Sequence, residues 1–329
     1  MATYKGIQGY TVQNLSSDPG TLSEVVGQLW YNSGAGKFKI SVQAAGTWAS
    51  GTSLNEVKQS PGGAGTQTAA LVFGGMGNTV YRTSTESYDG STWTELSDLG
   101  TARYNAAPAG TQTAAMFFGG VSPAITGKTE TWDGSTWTEV TPLNQARKAL
   151  AGFGTQTAGV AACGNGPGSD LSIVEEWNGT SWSEETNASN ARGELTGFGT
   201  QTSGAIACGR PGGTLTEEYN GTSWTAGGAV NTSSAFLAGA GSSHTAGLIF
   251  TRNNTPATPI TSRKTEEYDG TTWTEVADMV TERFWSSPLV GTSSAALSAG
   301  GEGGSGTGSD ADVEAWTGAP VTAKIVTVS

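Results

Sequence analysis

Histidine occurs once in the 329 residues, cysteine twice, and only 13% of positions carry Asp, Glu, Lys or Arg. Each scarcity removes a class of chemistry. A metal centre built from several imidazoles cannot be assembled around His244 alone. A Ser-His-Asp triad would have to use that same residue, and no G-x-S-x-G elbow stands between a strand and a helix. His244 is therefore expected to be a surface residue in an inter-strand turn, and no metal or cofactor is expected. No apolar run approaches the roughly 18 residues of a membrane span, so no membrane insertion is expected. The opening stretch "MATYKGIQGYTVQNL" lacks the charged and apolar blocks of a signal peptide. The net charge of −12 disfavours nucleic acid as a partner. No block of one sign stands out, so the acidity is diffuse and favours solubility.

What the chain has in quantity is glycine, 50 residues, and tryptophan, 11. Without a period, that much glycine would indicate disorder. Here it is periodic. "TESYDGSTWTEL" at 85–96 returns as "TETWDGSTWTEV", "VEEWNGTSWSEE", "TEEYNGTSWTAG" and "TEEYDGTTWTEV". Asp-Gly and Asn-Gly between Thr, Tyr, Trp and Val are the strongest short hairpin signal, and predict a tight turn with positive φ at both central residues. The aromatic-to-Trp spacing is five in each copy: Tyr88/Trp93, Trp132/Trp137, Trp177/Trp182, Tyr219/Trp224 and Tyr268/Trp273.

Ahead of each hairpin runs a short apolar stretch closed by glycine, such as "GTQTAALVFGG" at Gly65 and "GTQTAAMFFGG" at Gly110. These read as buried strands. A small-residue strand such as "ARYNAAPAG" precedes each one. The unit is four strands in about 45 residues, which is a propeller signal. The strands are named A to D from the innermost outwards.

Ten residues after each hairpin Trp stands a basic residue: Arg103, Arg147, Arg192 and Arg283, with Ser234 the exception. Read backwards, the rule pairs Trp48 of "GTWAS" with Lys58, so "GTWAS" is the second half of a hairpin without a first. "VEAWTGAPVTAK", with Trp316 and no later Trp, is a first half without a second. The two fragments predict one blade. The expected fold is all-β: a six-bladed propeller over 44–320, its last blade closed by a strand at about 45–50. Closure removes an open sheet edge. Residues 1–43 form a separate module containing the hairpin "GQLWYNSGAGKFKISV". The final strand, 321–329, is expected to pair with that hairpin or to lie along blade 6.

The four-strand unit, with apolar-"GG", then Tyr, then Trp, resembles the kelch repeat over 45–317. The resemblance implies a basic residue entering strand A, "GG" closing B, Tyr or Trp on C and Trp on D. The sequence departs from that pattern at Cys163 and Cys208, which replace the first Gly of "GG", and at Thr251-Arg252. Both cysteines are expected to be buried free thiols. "GTQTAA" with "TEEYDGSTWT" is similar to repeat proteins of tailed phages of marine bacteria. The "G-x-LWYN-x-x-x-GKFK" hairpin resembles those of phage tail-fibre and virion-associated proteins.

Glutamates recur two residues before each hairpin aromatic: Glu86, Glu130, Glu175, Glu217, Glu266 and Glu314. With Lys58, Arg103, Arg147, Arg192 and Arg283 they suggest one structural ion pair per blade. The competing reading is a ring of charges for substrate. Recurrence favours structure, because an active site needs asymmetry. No catalytic residues are expected.

Spacing between the inter-strand Gly and the hairpin aromatic is 23, 22, 23, 20, 27 and 25 residues, whereas the other spans are nearly constant. Insertions therefore gather in the B–C loops, on one face, where a scaffold carries recognition. The longest loop bears Arg252, Asn253, Asn254, Arg263 and Lys264 as candidate binding residues.

The expectation is a non-enzymatic virion protein, a tail or capsid appendage, that contacts other virion proteins through 1–43 and shows its propeller to a host surface. A host-surface glycan and a second copy of the chain are admitted as further partners. A lectin-like propeller outside any virion is the alternative. A sialidase-like glycosidase is third, since "SYDGSTW" is one residue short of an S-x-D-x-G-x-T-W Asp box.

Overall fold

The computed structural model describes residues 12–20, 27–43, 45–235, 237–250, 263–284, 288–303, 310–318 and 321–325. The chain divides into two compact units: Thr47–Thr317, and Met1–Gly46 together with Gly318–Ser329. Every regular element among the described residues is a strand.

The larger unit holds six four-stranded antiparallel sheets. Blade 1 runs Gly62–Thr66 (A), Ala69–Phe73 (B), Thr85–Tyr88 (C) and Trp93–Leu96 (D). Blade 2 is Ala107–Gly110, Ala115–Phe118, Thr129–Trp132 and Trp137–Val140. Blade 3 is Ala151–Thr155, Ala158–Asn165, Asp170–Trp177 and Trp182–Glu184. Blade 4 is Thr196–Thr200, Ser203–Ala207, Thr216–Tyr219 and Trp224–Ala226. Blade 5 is Ala238–Ser243, Ala246–Phe250, Thr265–Tyr268 and Trp273–Glu275. Blade 6 is Leu289–Thr292, Ala295–Ala299, Val313–Thr317 and, from the other end of the chain, Thr47–Ser50.

The last blade is completed as the two half-hairpins predict. Trp316 stands opposite Trp48, their rings 5.5 Å apart. The A strand of blade 6 neighbours that of blade 5 on one side and that of blade 1 on the other, so the A strands close a ring around a channel.

The sequence of each strand fits its place. B strands are predominantly apolar because a blade packs on both of their faces: Leu71, Val72 and Phe73, like Met116, Phe117 and Phe118, are fully buried. A strands alternate in glycine and other small residues because the ring is narrow, although Phe153 and Phe198 stand among them. A Cβ on Gly152 would lie 2.6 Å from the Pro108 carbonyl oxygen of the neighbouring blade. The Gly of "GTQT" is needed for a second reason: at Gly65 φ is +112°, and a Cβ would meet the Ala69 carbonyl oxygen at 2.2 Å.

The C–D turn differs from expectation. Four residues separate the strands, and of the Asp-Gly pair only Gly90 has positive φ, not both. The Asp89 side chain accepts the N–H groups of Ser91 and Thr92, each at 2.8 Å, and so supplies the turn itself. Asp133, Asn178, Asn220 and Asp269 do the same. These bonds hold the Asp133 carboxyl down at about 2.

The smaller unit is a four-stranded sheet in the order Gln13–Leu15, Leu29–Asn32, Lys37–Gln43, Val321–Ile325. The first pair is parallel. Asp18 gathers Lys39 Nζ and Asn32 Nδ2 at 2.6 Å and Trp30 Nε1 at 3.3 Å. Of the two places expected for the C-terminal strand, the structure takes the first: Ile40 stands opposite Lys324. It belongs with the N-terminal residues and is not a separate segment.

Candidate functional site

The repeating charges are structural. Lys58, Arg103, Arg147 and Arg192 are fully buried and Arg283 is 3% exposed; the six glutamates are 0–3% exposed. Arg103 meets Glu130 at 2.7 Å, Arg192 meets Glu217 at 2.7 Å, and Arg147 meets Glu175 in a shorter contact. Arg283 and Glu314 are 3.4 Å apart, and Lys58 and Glu86 3.7 Å. Burial pushes the Lys58 ammonium down against the pull of Glu86 and Glu56.

Each carboxylate also accepts backbone N–H groups from the loop entering its blade: Gly100 to Glu130 at 2.6 Å, Asn144 to Glu175 and Val280 to Glu314 at 2.7 Å. The residue thus pins strand C to the D–A connection. Blade 5 has Ser234 in place of the cation, and Glu266 is held by the N–H groups of Asn231 and Thr232 and the Asn231 amide, at 2.8–3.0 Å.

Two further fastenings join blade to blade. The indole N–H of Trp137 donates to Thr85 Oγ1 of the preceding blade at 2.9 Å, and those of Trp182, Trp273 and Trp48 reach Thr129, Thr216 and Thr265. Where the threonine position is Val174 or Val313, the next Trp turns to a loop carbonyl: Trp224 to Thr186 and Trp93 to Thr52. The Gln of "GTQT" donates back to carbonyls of the preceding blade, as Gln112 does to Tyr88 at 2.6 Å. His244 stands at this turn in blade 5. Its ring Nδ1 lies 2.8 Å from Ser203 Oγ, so it is half-buried and joins two blades.

The cysteines are free and buried. Both take the left-handed conformation of the glycine they replace, φ 58° at Cys163 and 63° at Cys208. Burial pushes the Cys163 thiol up to about 12 and the Cys208 thiol up as well. Among the described residues no group of three or more His, Cys, Asp and Glu could hold a metal ion.

The B–C loops differ from blade to blade. Blade 1 has a small hairpin, Met76–Gly77 against Val80–Tyr81. In blade 2, Val121 bridges to Tyr104 and Ile125. In blade 3 the B and C strands themselves run on to Asn165 and back from Asp170. Blade 4 turns through Arg210–Pro211, and in blade 6 Arg283–Phe284 pairs with Glu302–Gly303. In blade 5, residues 251–262 lie outside the described residues, and with them the candidates Arg252, Asn253 and Asn254. Of the other two candidates, Arg263 is exposed, and Lys264 makes a salt bridge with Glu275 at the surface.

On this same face the mouth of the channel carries a feature the sequence did not announce. Ser60, Asn105, Ala149 and Glu194, each two residues beyond a basic position, have φ of 49°, 53°, 49° and 60°. Left-handed conformation costs a non-glycine residue about 1–2 kcal/mol. It turns their peptides along the rim, so that Ala149 N–H donates to the Asn105 carbonyl and Glu194 N–H to that of Ala149, both at 2.8 Å. These residues line a cavity of about 100 Å³ with Pro61, Pro108 and other A-strand residues. Tyr104, the chain neighbour of Asn105, stacks on Tyr81, ring centroids 5.1 Å apart. Burial pushes the Glu194 carboxyl up against the pull of Arg210, whose Nε is 2.7 Å away.

No protein-family model matches the chain, and no curated protein does. Among solved structures it is similar to that of YjhT, with a TM-score of 0.65 over 83% of this chain and 99% of that one. The fold is a β-propeller. At 12% identity the likeness reaches no further than the fold, so the propeller's function has to be read from its own surface.

Proposed function

We propose that the protein is a non-enzymatic binding propeller of a phage virion, with the B–C face as its working surface and the N-terminal sheet as its attachment to other virion proteins. One observation carries this reading. Among the described residues of the larger unit, the exposed large hydrophobic side chains are Val80, Leu215 and Val280, and all three lie in B–C or D–A connections, which share one face. The same face bears the loops that vary in length, and loops on a rigid scaffold are where recognition is placed. The opposite face carries near-identical turns. The recurring acids and bases are engaged within the blades, which supports scaffolding over catalysis. The "GTQTAA" repeat dialect and the "LWYN…GKFK" hairpin, each similar to phage proteins, support the virion setting, with assembly in a host cell. The channel-mouth cavity, lined by Asn105 and Glu194, and the stacked Tyr81 and Tyr104 of the same face favour, as second reading, a lectin-like propeller outside a virion.

The test is to replace residues 253–261 by a short Gly-Ser turn, and separately Val80 and Leu215 by Ser. The expected result is a folded propeller that has lost binding to host cells or incorporation into particles. Unchanged binding and assembly would move the working surface to the A–B face.

A further inference from the structure

We infer that the Asn178-Gly179 and Asn220-Gly221 turns are sites of self-catalysed deamidation, the turn itself supplying the donors that stabilise the reacting amide oxygen.

The chain holds three Asn-Gly pairs: Asn165-Gly166, Asn178-Gly179 and Asn220-Gly221. The dipeptide is the same in each, and the structure separates them. At Asn178, Oδ1 accepts the N–H of Thr180 at 2.9 Å, the N–H of Ser181 at 3.0 Å and the Thr180 hydroxyl at 2.8 Å. At Asn220, Oδ1 accepts the N–H groups of Thr222 and Ser223 at 3.0 and 2.9 Å, and their hydroxyls at 3.0 and 3.3 Å. The next N–H along the chain, that of Gly179 or Gly221, makes no hydrogen bond among the described residues. Both asparagines are exposed, so water and hydroxide reach them. Asn165 is the reverse in each respect. It is half-buried, its Oδ1 takes no donor among the described residues, and its Nδ2 is bonded to Asp170. Gly166 N–H is already engaged, donating to the Ser169 carbonyl at 2.8 Å.

The reaction closes a small imide ring. Hydroxide removes the Gly179 amide proton, and that nitrogen attacks Asn178 Cγ, driving the carbonyl electron pair onto Oδ1. Donors already face that oxygen, as in an oxyanion hole, and need no reorganisation as charge develops. The pair returns, the Cγ–Nδ2 bond breaks, and ammonia leaves with a proton taken from water, which restores the hydroxide. A second water opens the imide to aspartate or isoaspartate. Water is the only co-reactant.

The preference of this donor cup for a negative oxygen shows in the blades that carry aspartate there. Asp133 receives the N–H groups of Thr136 and Ser135, each at 2.8 Å, and they hold its carboxyl down at about 2. Asp89, Asp133 and Asp269 also show that the aspartate product keeps the bonds of the turn. Each conversion adds one negative charge to the face opposite the B–C loops, so the inference stands apart from the binding reading.

The experiment holds the full chain at alkaline pH, folded and, in parallel, in denaturant. Peptide mass mapping follows aspartate plus isoaspartate at each site. In denaturant the three sites should react at similar rates. In the folded chain Asn178 and Asn220 should keep or exceed those rates, whereas Asn165 should slow by about tenfold or more, since two hydrogen bonds must open first. Thr180→Ala keeps both N–H donors and removes one hydroxyl. It should slow Asn178 by about threefold to tenfold, leave Asn220 as in the parent and retain the melting temperature. Thr222→Ala should slow Asn220 and spare Asn178. The inference is overturned if folding protects Asn178 and Asn220 as strongly as Asn165, or if both hydroxyl deletions leave the rates at their own sites unchanged. The folded-against-denatured comparison uses the parent chain alone, so it decides the matter even where a variant melts early.

Discussion

Glu130 and Glu266 hold the same place in their blades yet answer to different partners. Glu130 faces a buried guanidinium at 2.7 Å, whereas Glu266 is satisfied by amide N–H groups. Removing one member of a buried ion pair strands the other charge, at a cost of roughly 3–5 kcal/mol. Glu130→Gln should therefore lower unfolding stability by about that amount. Glu266→Gln strands no cation and leaves an amide oxygen for the same donors, so it should cost about 1–2 kcal/mol. Denaturant melts of the two variants check this. Equal losses would show that the backbone bonds, and not the ion pairs, hold the loops.

Strands and sheets have their own tests. Thr47–Ser50 closes blade 6, with Trp48 packed on Trp316 and donating to Thr265 of blade 5 at 2.9 Å. A chain of residues 47–317 keeps every blade strand and should melt cooperatively. A chain of residues 53–317 loses the strand and Trp48, whose burial alone is on the scale of the 3–5 kcal/mol of a Trp→Ala change. It should melt lower or aggregate through the bared edge of Val313–Thr317. Identical melting of the two would remove the closing role of the strand.

The smaller sheet has an acid-sensitive node. Hydrogen bonds from Lys39 first and Asn32 next hold the Asp18 carboxyl below its ordinary range. A carboxyl with a lowered folded pKa contributes stability above its unfolded value, near 3.9, and loses it as pH falls through the folded one. Protection from hydrogen exchange in 27–43, corrected for the intrinsic pH dependence of exchange, should thus fall below about pH 4, and Asp18→Asn should remove that dependence. Corrected protection that is flat with pH in the parent would show that Asp18 does not hold the sheet.

For the molecule as a whole, the two thiols report on the ring. They sit in adjacent blades at equivalent left-handed positions, fully buried, with Cys163 pushed up to about 12. A disulfide reagent needs a thiolate and access. At pH 8 neither should react in the native propeller, and both should in denaturant. The native reaction rate should follow the opening of blades 3 and 4. Prompt labelling without denaturant would mean that these blades open locally and that closure does not make the ring one cooperative unit.

Periodicity by itself determined most of this architecture. Invariant spacing from Trp to the basic residue, and from the aromatic to Trp, is the imprint of strands in fixed register. A half-repeat at each end shows directly which strands must meet. The pairing of glutamate with arginine was legible for the same reason: residues that recur together occupy one place in every blade. The Asp-Gly pair signals a tight turn without fixing the φ of its first residue, and the side-chain bonds of Asp89 decide that.

The contacts between blades follow from the closed ring and from no single repeat. Trp182 and Thr129, or Tyr81 and Tyr104, meet across a seam that no single repeat contains. The left-handed turns at Ser60, Asn105, Ala149 and Glu194 have no shared residue type to mark them. They arise because successive blades must join their backbones around one rim, a constraint on the ring and not on the repeat. The C-terminal strand has no partner legible in the sequence for a like reason: an alternating strand can add to either of two sheet edges. The structure pairs it with Lys37–Gln43, where backbone hydrogen bonding across matched registers covers that edge.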